Sequence, residues 1–211
     1  MKTSSLVVLL AMSLACSKSG KPQQTAPPPA ATPDGPGTVS GKAPISQSGT
    51  PVVIVLESLE AKSPTDFPAQ ADVPVMDQVG QTFGPPFLLV RTGQPVEFRN
   101  SDDTLHNVHV SNEETREGAF NVAIPTGSSY TYTFRHDGFY HVGCDIHPAM
   151  AAEILSTTSP YATFADADGR FAFESVAPGR YTLTVYANGK KTQRDVDMKG
   201  DAISVDASSV P

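Results

Sequence analysis

Cys144, His147 and Met150 stand at intervals of three in the run Cys144-Asp-Ile-His-Pro-Ala-Met150, and His106 lies in an upstream β-branched stretch. A short loop with that spacing can wrap one ion with a thiolate, an imidazole and a thioether, while a second imidazole approaches from a neighbouring strand. Two His and one Cys in a trigonal set, with a weak axial Met, select copper and suit transfer of single electrons. Zinc also accepts Cys and His, but it seldom recruits Met, and structural zinc sites offer more Cys or His at short fixed spacings. The competing reading without metal makes Cys144 a packed core thiol and the histidines surface residues. Each of the four fits that reading alone; the four together, with matching loop spacing, do not.

The elements that must position these residues are short strands. Val52 to Leu56, Phe87 to Arg91, Val96 to Asn100, His106 to Val110, Ala119 to Ile124, Tyr130 to Phe134, Gly138 to Cys144 and Ala151 to Leu155 read as strands, separated by Gly, Pro, Asn and Asp clusters. Alternation along a strand puts Tyr140, Val142 and Cys144 on one face, with Phe139, His141 and Gly143 on the other. The same parity places His106, Val108 and Val110 inward, and Asn107 and His109 outward. His106 and Cys144 are therefore the inward candidates, and His109 and His141 their outward neighbours. No amphipathic helix is evident, so the fold class is all-β.

Residues 17 to 50 hold seven prolines and almost no large apolar side chains, which predicts a semi-extended tether. After Ser156 a second texture begins. Asp168-Gly169 lies between two alternating runs and predicts a hairpin. Beyond it, Tyr181, Leu183 and Val185 would share one face of a strand. A module of this size is small for independent folding and is expected to pack on the first domain. Asp166 and Asp168 do not make an EF-hand, because the Gly comes too early and no Glu closes the loop. The expected organisation is 1–15 signal peptide, 16–50 anchored linker, 51–156 metal-binding domain and 157–211 β module.

The chain carries a formal charge of -7, so a role on nucleic acid would work against its own field. Lys2, the apolar run Leu6 to Leu14 and the small Ala15 read as an export signal too short to span a bilayer. Ser13-Leu14-Ala15-Cys16 resembles a bacterial lipobox, with Ser13 where Leu is commonest; cleavage would leave Cys16 lipidated at the N-terminus. The chain has two cysteines. With Cys16 carrying lipid, Cys144 is the one thiol left in an oxidising compartment, so it must be buried or bound to something soft.

Asn100-Ser-Asp-Asp-Thr-Leu-His-Asn107-Val108, followed by Tyr140-His-Val-Gly-Cys-Asp-Ile-His-Pro-Ala-Met150, resembles the cupredoxins, nearest to the plastocyanin-like and amicyanin-like proteins. Met76-Asp-Gln and Phe83, ahead of Phe87-Leu-Leu-Val, are similar to bacterial plastocyanin-type domains of methylamine utilisation. The resemblance covers roughly residues 50 to 156. It implies a Greek-key β-sandwich with one type 1 copper ion held by His106, Cys144, His147 and Met150. It further implies that Asn107 ties the two ligand loops together and that the His147 ring edge is the electron port. Asp145 stands where relatives often have Ser, Thr or Pro, beside the ligands but not among them. The C-terminal stretch, with Asp166-Ala-Asp-Gly-Arg-Phe and Val176-Ala-Pro-Gly-Arg-Tyr, is similar to carboxypeptidase-regulatory-like, transthyretin-like modules, which are β accessories without chemistry of their own.

The expected function is a blue-copper electron carrier, not an enzyme. It would be monomeric and anchored through Cys16 in a bacterial periplasm or at the cell surface, serving a redox partner such as a c-type cytochrome or an envelope oxidoreductase. The five histidines leave no second copper cluster for an oxidase. The alternatives are a copper carrier or buffer that does not cycle, with His109, His136 and His141 as transient ligands, and a metal-free structural envelope protein.

Overall fold

Short β-branched and aromatic runs, broken by Gly, Pro, Asn and Asp, fold among the described residues as sixteen strands. The computed structural model describes residues 35–47, 49–60 and 72–208, and among these there is no helix. The expected export segment, Cys16 and the first part of the expected tether lie outside the described residues. In chain order the strands are β1 Gly37–Lys42, β2 Val53–Ser58, β3 Val75–Val79, β4 Thr82–Gly84, β5 Phe87–Arg91, β6 Pro95–Asn100, β7 His106–Asn112 and β8 Gly118–Ile124. They continue as β9 Ser129–Thr133, β10 Gly138–Gly143, β11 Ala151–Thr157, β12 Tyr161–Phe164, β13 Arg170–Val176, β14 Gly179–Ala187, β15 Lys190–Met198 and β16 Ile203–Asp206.

Two β-sandwiches result. In the first, the sheet β5-β11-β10-β7-β8 faces the sheet β4-β3-β6-β9, and the chain crosses repeatedly from one to the other. Alternation drives this packing: Val96 and Phe98 of β6, Val108 and Val110 of β7, and Tyr140 and Val142 of β10 point into a shared core that also takes in Met76, Phe134, Cys144 and Met150. In the second, the sheet β13-β1-β16 faces the sheet β12-β2-β14-β15 over a core that includes Val39, Ile54, Leu56, Phe173, Leu183 and Val185. The sandwiches meet through the outer faces of β2 and β14 on one side and of β5, β10 and β11 on the other. Val53, Val55, Phe87 and Leu155 are buried there, and the rings of Phe139 and Tyr186 stack at 5.1 Å.

Three expectations change. The tether was expected to run through residue 50, yet residues 37–42 form β1, which pairs antiparallel with β13 and parallel with β16. The sequence signal there was thin because Val39 is the one large apolar side chain in Gly-Thr-Val-Ser-Gly-Lys; it is fully buried, which is worth roughly 1.5–3 kcal/mol. Likewise the strand at Val52–Leu56 was expected within the first domain, but β2 lies between β12 and β14 of the second sandwich. Its unbroken run Val52-Val-Ile-Val-Leu56 is the mark of a strand covered on both faces: Ile54 and Leu56 serve the second core, while Val53 and Val55 serve the contact between sandwiches. Finally, Asp168-Gly169 does make a tight turn, with Gly169 at φ 79° and its N–H donated to Asp166 O at 2.9 Å. The flanking strands nevertheless do not form a hairpin. β12 joins β2 and β13 joins β1, so the turn carries the chain from one sheet to the other.

Gly41 marks the closest approach in this second sandwich. A Cβ there would collide with the carbonyl oxygen of Val205 and with the Phe171 ring, so only glycine lets β16 and β13 close on both edges of β1. Gly41→Ala is expected to destabilise the protein by about 1–3 kcal/mol, the usual cost of overpacking. Denaturant unfolding of the two proteins measures this, and equal stability would place β1 somewhere other than between these strands.

Candidate metal centre

Antiparallel pairing of β7 with β10 builds the site. The register sets Tyr140 opposite Asn112 and Gly143 opposite His109, so the start of β7 lies alongside the loop that leaves β10. His106 is the first residue of β7, and Cys144 follows the last residue of β10. Both are buried, at 0% and 3% exposure, and Cys144 is a free thiol. The loop after Cys144 turns tightly, with the Met150 N–H donated to His147 O at 2.9 Å, and this brings the partly buried His147 ring back over the site.

Three donor atoms converge. His106 Nδ1 and His147 Nδ1 are 2.9 Å apart, and Cys144 Sγ is 3.9 Å from each. Among the described residues these three form the one group of His, Cys and carboxylate side chains with metal-holding proximity. A point in their plane about 2.0 Å from both nitrogens falls about 2.2 Å from the sulfur, close to ordinary metal–imidazole and metal–thiolate distances. The triangle thus has the dimensions for one ion, and a thiolate with two imidazoles is a donor set suited to copper. Met150 is buried in the same apolar cluster as Cys144 and lines the same surface cavity. His109, His136 and His141 are exposed and outside the triangle.

The surrounding hydrogen bonds fix the two ligand segments to each other. Asn107 Oδ1 accepts the N–H groups of Asp145 (2.7 Å) and Ile146 (3.3 Å) and lies 3.3 Å from Cys144 Sγ. Its Nδ2 donates to Asn121 Oδ1 and Asp145 Oδ2. Alternation alone had put Asn107 on the outer face of β7. It is on that face but buried to 6% exposure, because the Asp145 segment folds over it. Asp145 also accepts from Asn121 Nδ2 at 2.8 Å and sits 3.0 Å from His109 Nδ1. His109 first, then Asn121, hold its carboxyl below the usual carboxylate range.

Sequence reasoning missed Asp102. Its Oδ2 is 3.0 Å from His106 Nε2, the ring nitrogen facing away from the triangle, and accepts the Gln81 N–H at 2.9 Å. These contacts, the Gln81 amide foremost, pull its carboxyl down to about 2. The loop that carries it is pinned from both sides. Asn100, fully buried, donates to Thr104 O and Ile124 O, and Asp77 of β3 accepts the hydroxyl and N–H of Ser101. The only sequence signal was the polar run Asn100-Ser-Asp-Asp-Thr, which reads equally as an ordinary loop.

Residues 71–155 match the family model described as copper binding proteins, plastocyanin/azurin family. Residues 117–210 match a second, polysaccharide lyase family 4, domain II. The two overlap over 117–155, and the strand ladders assign that stretch, β8 to β11, to the first sandwich. No curated protein matches the chain. Among solved structures, a reduced amicyanin variant is 24% identical over 42% of this chain and 85% of its own, with a TM-score of 0.38. A Cu(I) amicyanin variant is 26% identical over 49% and 99%, at 0.38, and a purple cupredoxin from Nitrosopumilus maritimus is 19% identical over 40% and 99%, at 0.36. The segment that matches the plastocyanin/azurin copper-binding model contains His106, Cys144, His147 and Met150, and the chain joins it to a second β-sandwich.

Proposed function

We propose that this protein is a blue-copper electron carrier in which His106 Nδ1, His147 Nδ1 and Cys144 Sγ would hold one type 1 copper ion, with Met150 as a weaker fourth ligand. The observation that carries the reading is the buried triangle of two imidazole nitrogens and one sulfur, sized for a single ion. Copper held there supplies a one-electron couple. The chain's own residues do the rest. His106 and Cys144 are locked at the end of the core by the β7–β10 ladder and by Asn107, so the donor atoms have little freedom to rearrange as charge changes. Burial keeps water from the sulfur. His147, partly exposed, is the natural port for the electron, and Leu105 and Ile146, each about half exposed, offer apolar contact beside it. The reading extends to a carrier, not an enzyme, that works as a monomer with a c-type cytochrome or an envelope oxidoreductase. Cys16 would carry the lipid that holds it at a bacterial membrane, in the periplasm or at the cell surface.

Adding Cu(II) to the full-length chain is expected to give an intense blue colour from thiolate-to-copper charge transfer, and Cys144→Ser to abolish it while the far-ultraviolet dichroism of the β fold remains. A colourless wild type would remove the proposal. Rapid self-exchange with slow loss of copper to a chelator supports electron carriage; the opposite pair of results identifies a copper carrier. Cys16→Ser is expected to move the protein from the membrane fraction to the soluble fraction of the cell envelope, and an unchanged distribution would exclude the lipid anchor.

A further inference from the structure

Asp102 does more than occupy a loop. The His106 ring is fully buried, with one nitrogen facing Cys144 and His147 and the other meeting the Asp102 carboxylate at 3.0 Å. A buried neutral imidazole carries its proton on one nitrogen or the other, and the partner of the nitrogen that does not bind decides which. Facing a carboxylate oxygen, Nε2 must donate, which leaves the Nδ1 lone pair free. The carboxylate itself cannot swing away. Oδ2 is held by Gln81 N–H, Oδ1 by Asp103 N–H, and the Asp102 N–H is donated to the buried Asn100. Gln81 sits at the β3–β4 turn with φ 56°, so the far sheet also grips this acid.

A backbone carbonyl could hold the same proton, but it brings no full charge. The Asp102 side chain is 14% exposed and meets a fully buried ring, so part of its field reaches the centre through protein. Resting on the copper reading above, we propose that Asp102 is a positioning residue with two separable effects. It fixes the His106 proton on Nε2, and it adds a negative charge that favours Cu(II) over Cu(I).

Two variants of the full-length chain divide these effects. Asp102→Asn keeps an oxygen acceptor and loses the charge, whereas Asp102→Ala loses both. In the metal-free protein, at a pH where the imidazole is neutral, nitrogen-15 spectra of His106 are expected to show the Nε2-protonated form in wild type and Asp102→Asn, and a mixture in Asp102→Ala. With copper, Asp102→Ala is expected to bind Cu(II) about ten- to hundred-fold more weakly, the usual loss for a partner of a ligating His. Asp102→Asn is expected to stay blue and to lose about tenfold in Cu(II) affinity relative to Cu(I), which is about 59 mV upward in potential for one electron. An unchanged potential in Asp102→Asn, or a wild-type tautomer in Asp102→Ala, overturns the proposal. A wild type that takes no copper defeats the copper reading instead, and the metal-free spectra still decide the positioning role.

Discussion

Two imidazole nitrogens and a thiol sulfur face one another at the end of an apolar core, where a polar group without a partner is costly. Much of the polar structure around them answers that constraint. Asn107 occupies its amide on both sides, accepting from the Asp145 segment and donating to Asn121 and Asp145. Asp102 takes the outer nitrogen of His106. On the inward side the three atoms have only one another, His106 Nδ1 2.9 Å from His147 Nδ1 and Cys144 Sγ 3.9 Å from each, and that is the space the proposed ion would take. Rigidity and function come from the same hydrogen bonds: a site held this firmly by its surroundings has little to rearrange when its charge changes.

The supports come from distant parts of the chain. The β3–β4 turn reaches Asp102 through Gln81, β3 reaches the ligand loop through Asp77, β8 supplies Asn121, and the β7–β10 ladder sets the depth of His106 and Cys144. Each is an ordinary element of a sandwich. Packing the two sheets therefore assembles the centre without a dedicated subdomain, and a shift of β3 against β7 would be felt at His106 first.

The inward residues were legible because alternation is a local property: Tyr140, Val142 and Cys144 share a face whatever surrounds them, and so do His106, Val108 and Val110. The Cys-x-x-His-x-x-Met loop was legible for the same reason. Asn107 showed where the rule ends, since facing outward does not mean facing water when another loop lies on top. Asp102 was invisible because its role depends on a tertiary contact with Gln81 and on which edge of an imidazole it meets. The second sandwich was half legible. Tyr181, Leu183 and Val185 lie on one buried face as alternation suggests, but nothing in Gly37–Lys42 announces its partners β13 and β16, which lie far downstream in the sequence.

β1 is the first described strand, and it belongs to the sandwich without the donor triangle. It is clasped along both edges, by β13 and by β16, so a tug must tear two ladders at once. Peeling β1 away would open the second sandwich and leave unbroken the β7–β10 ladder beside which His106, Cys144 and His147 are spaced.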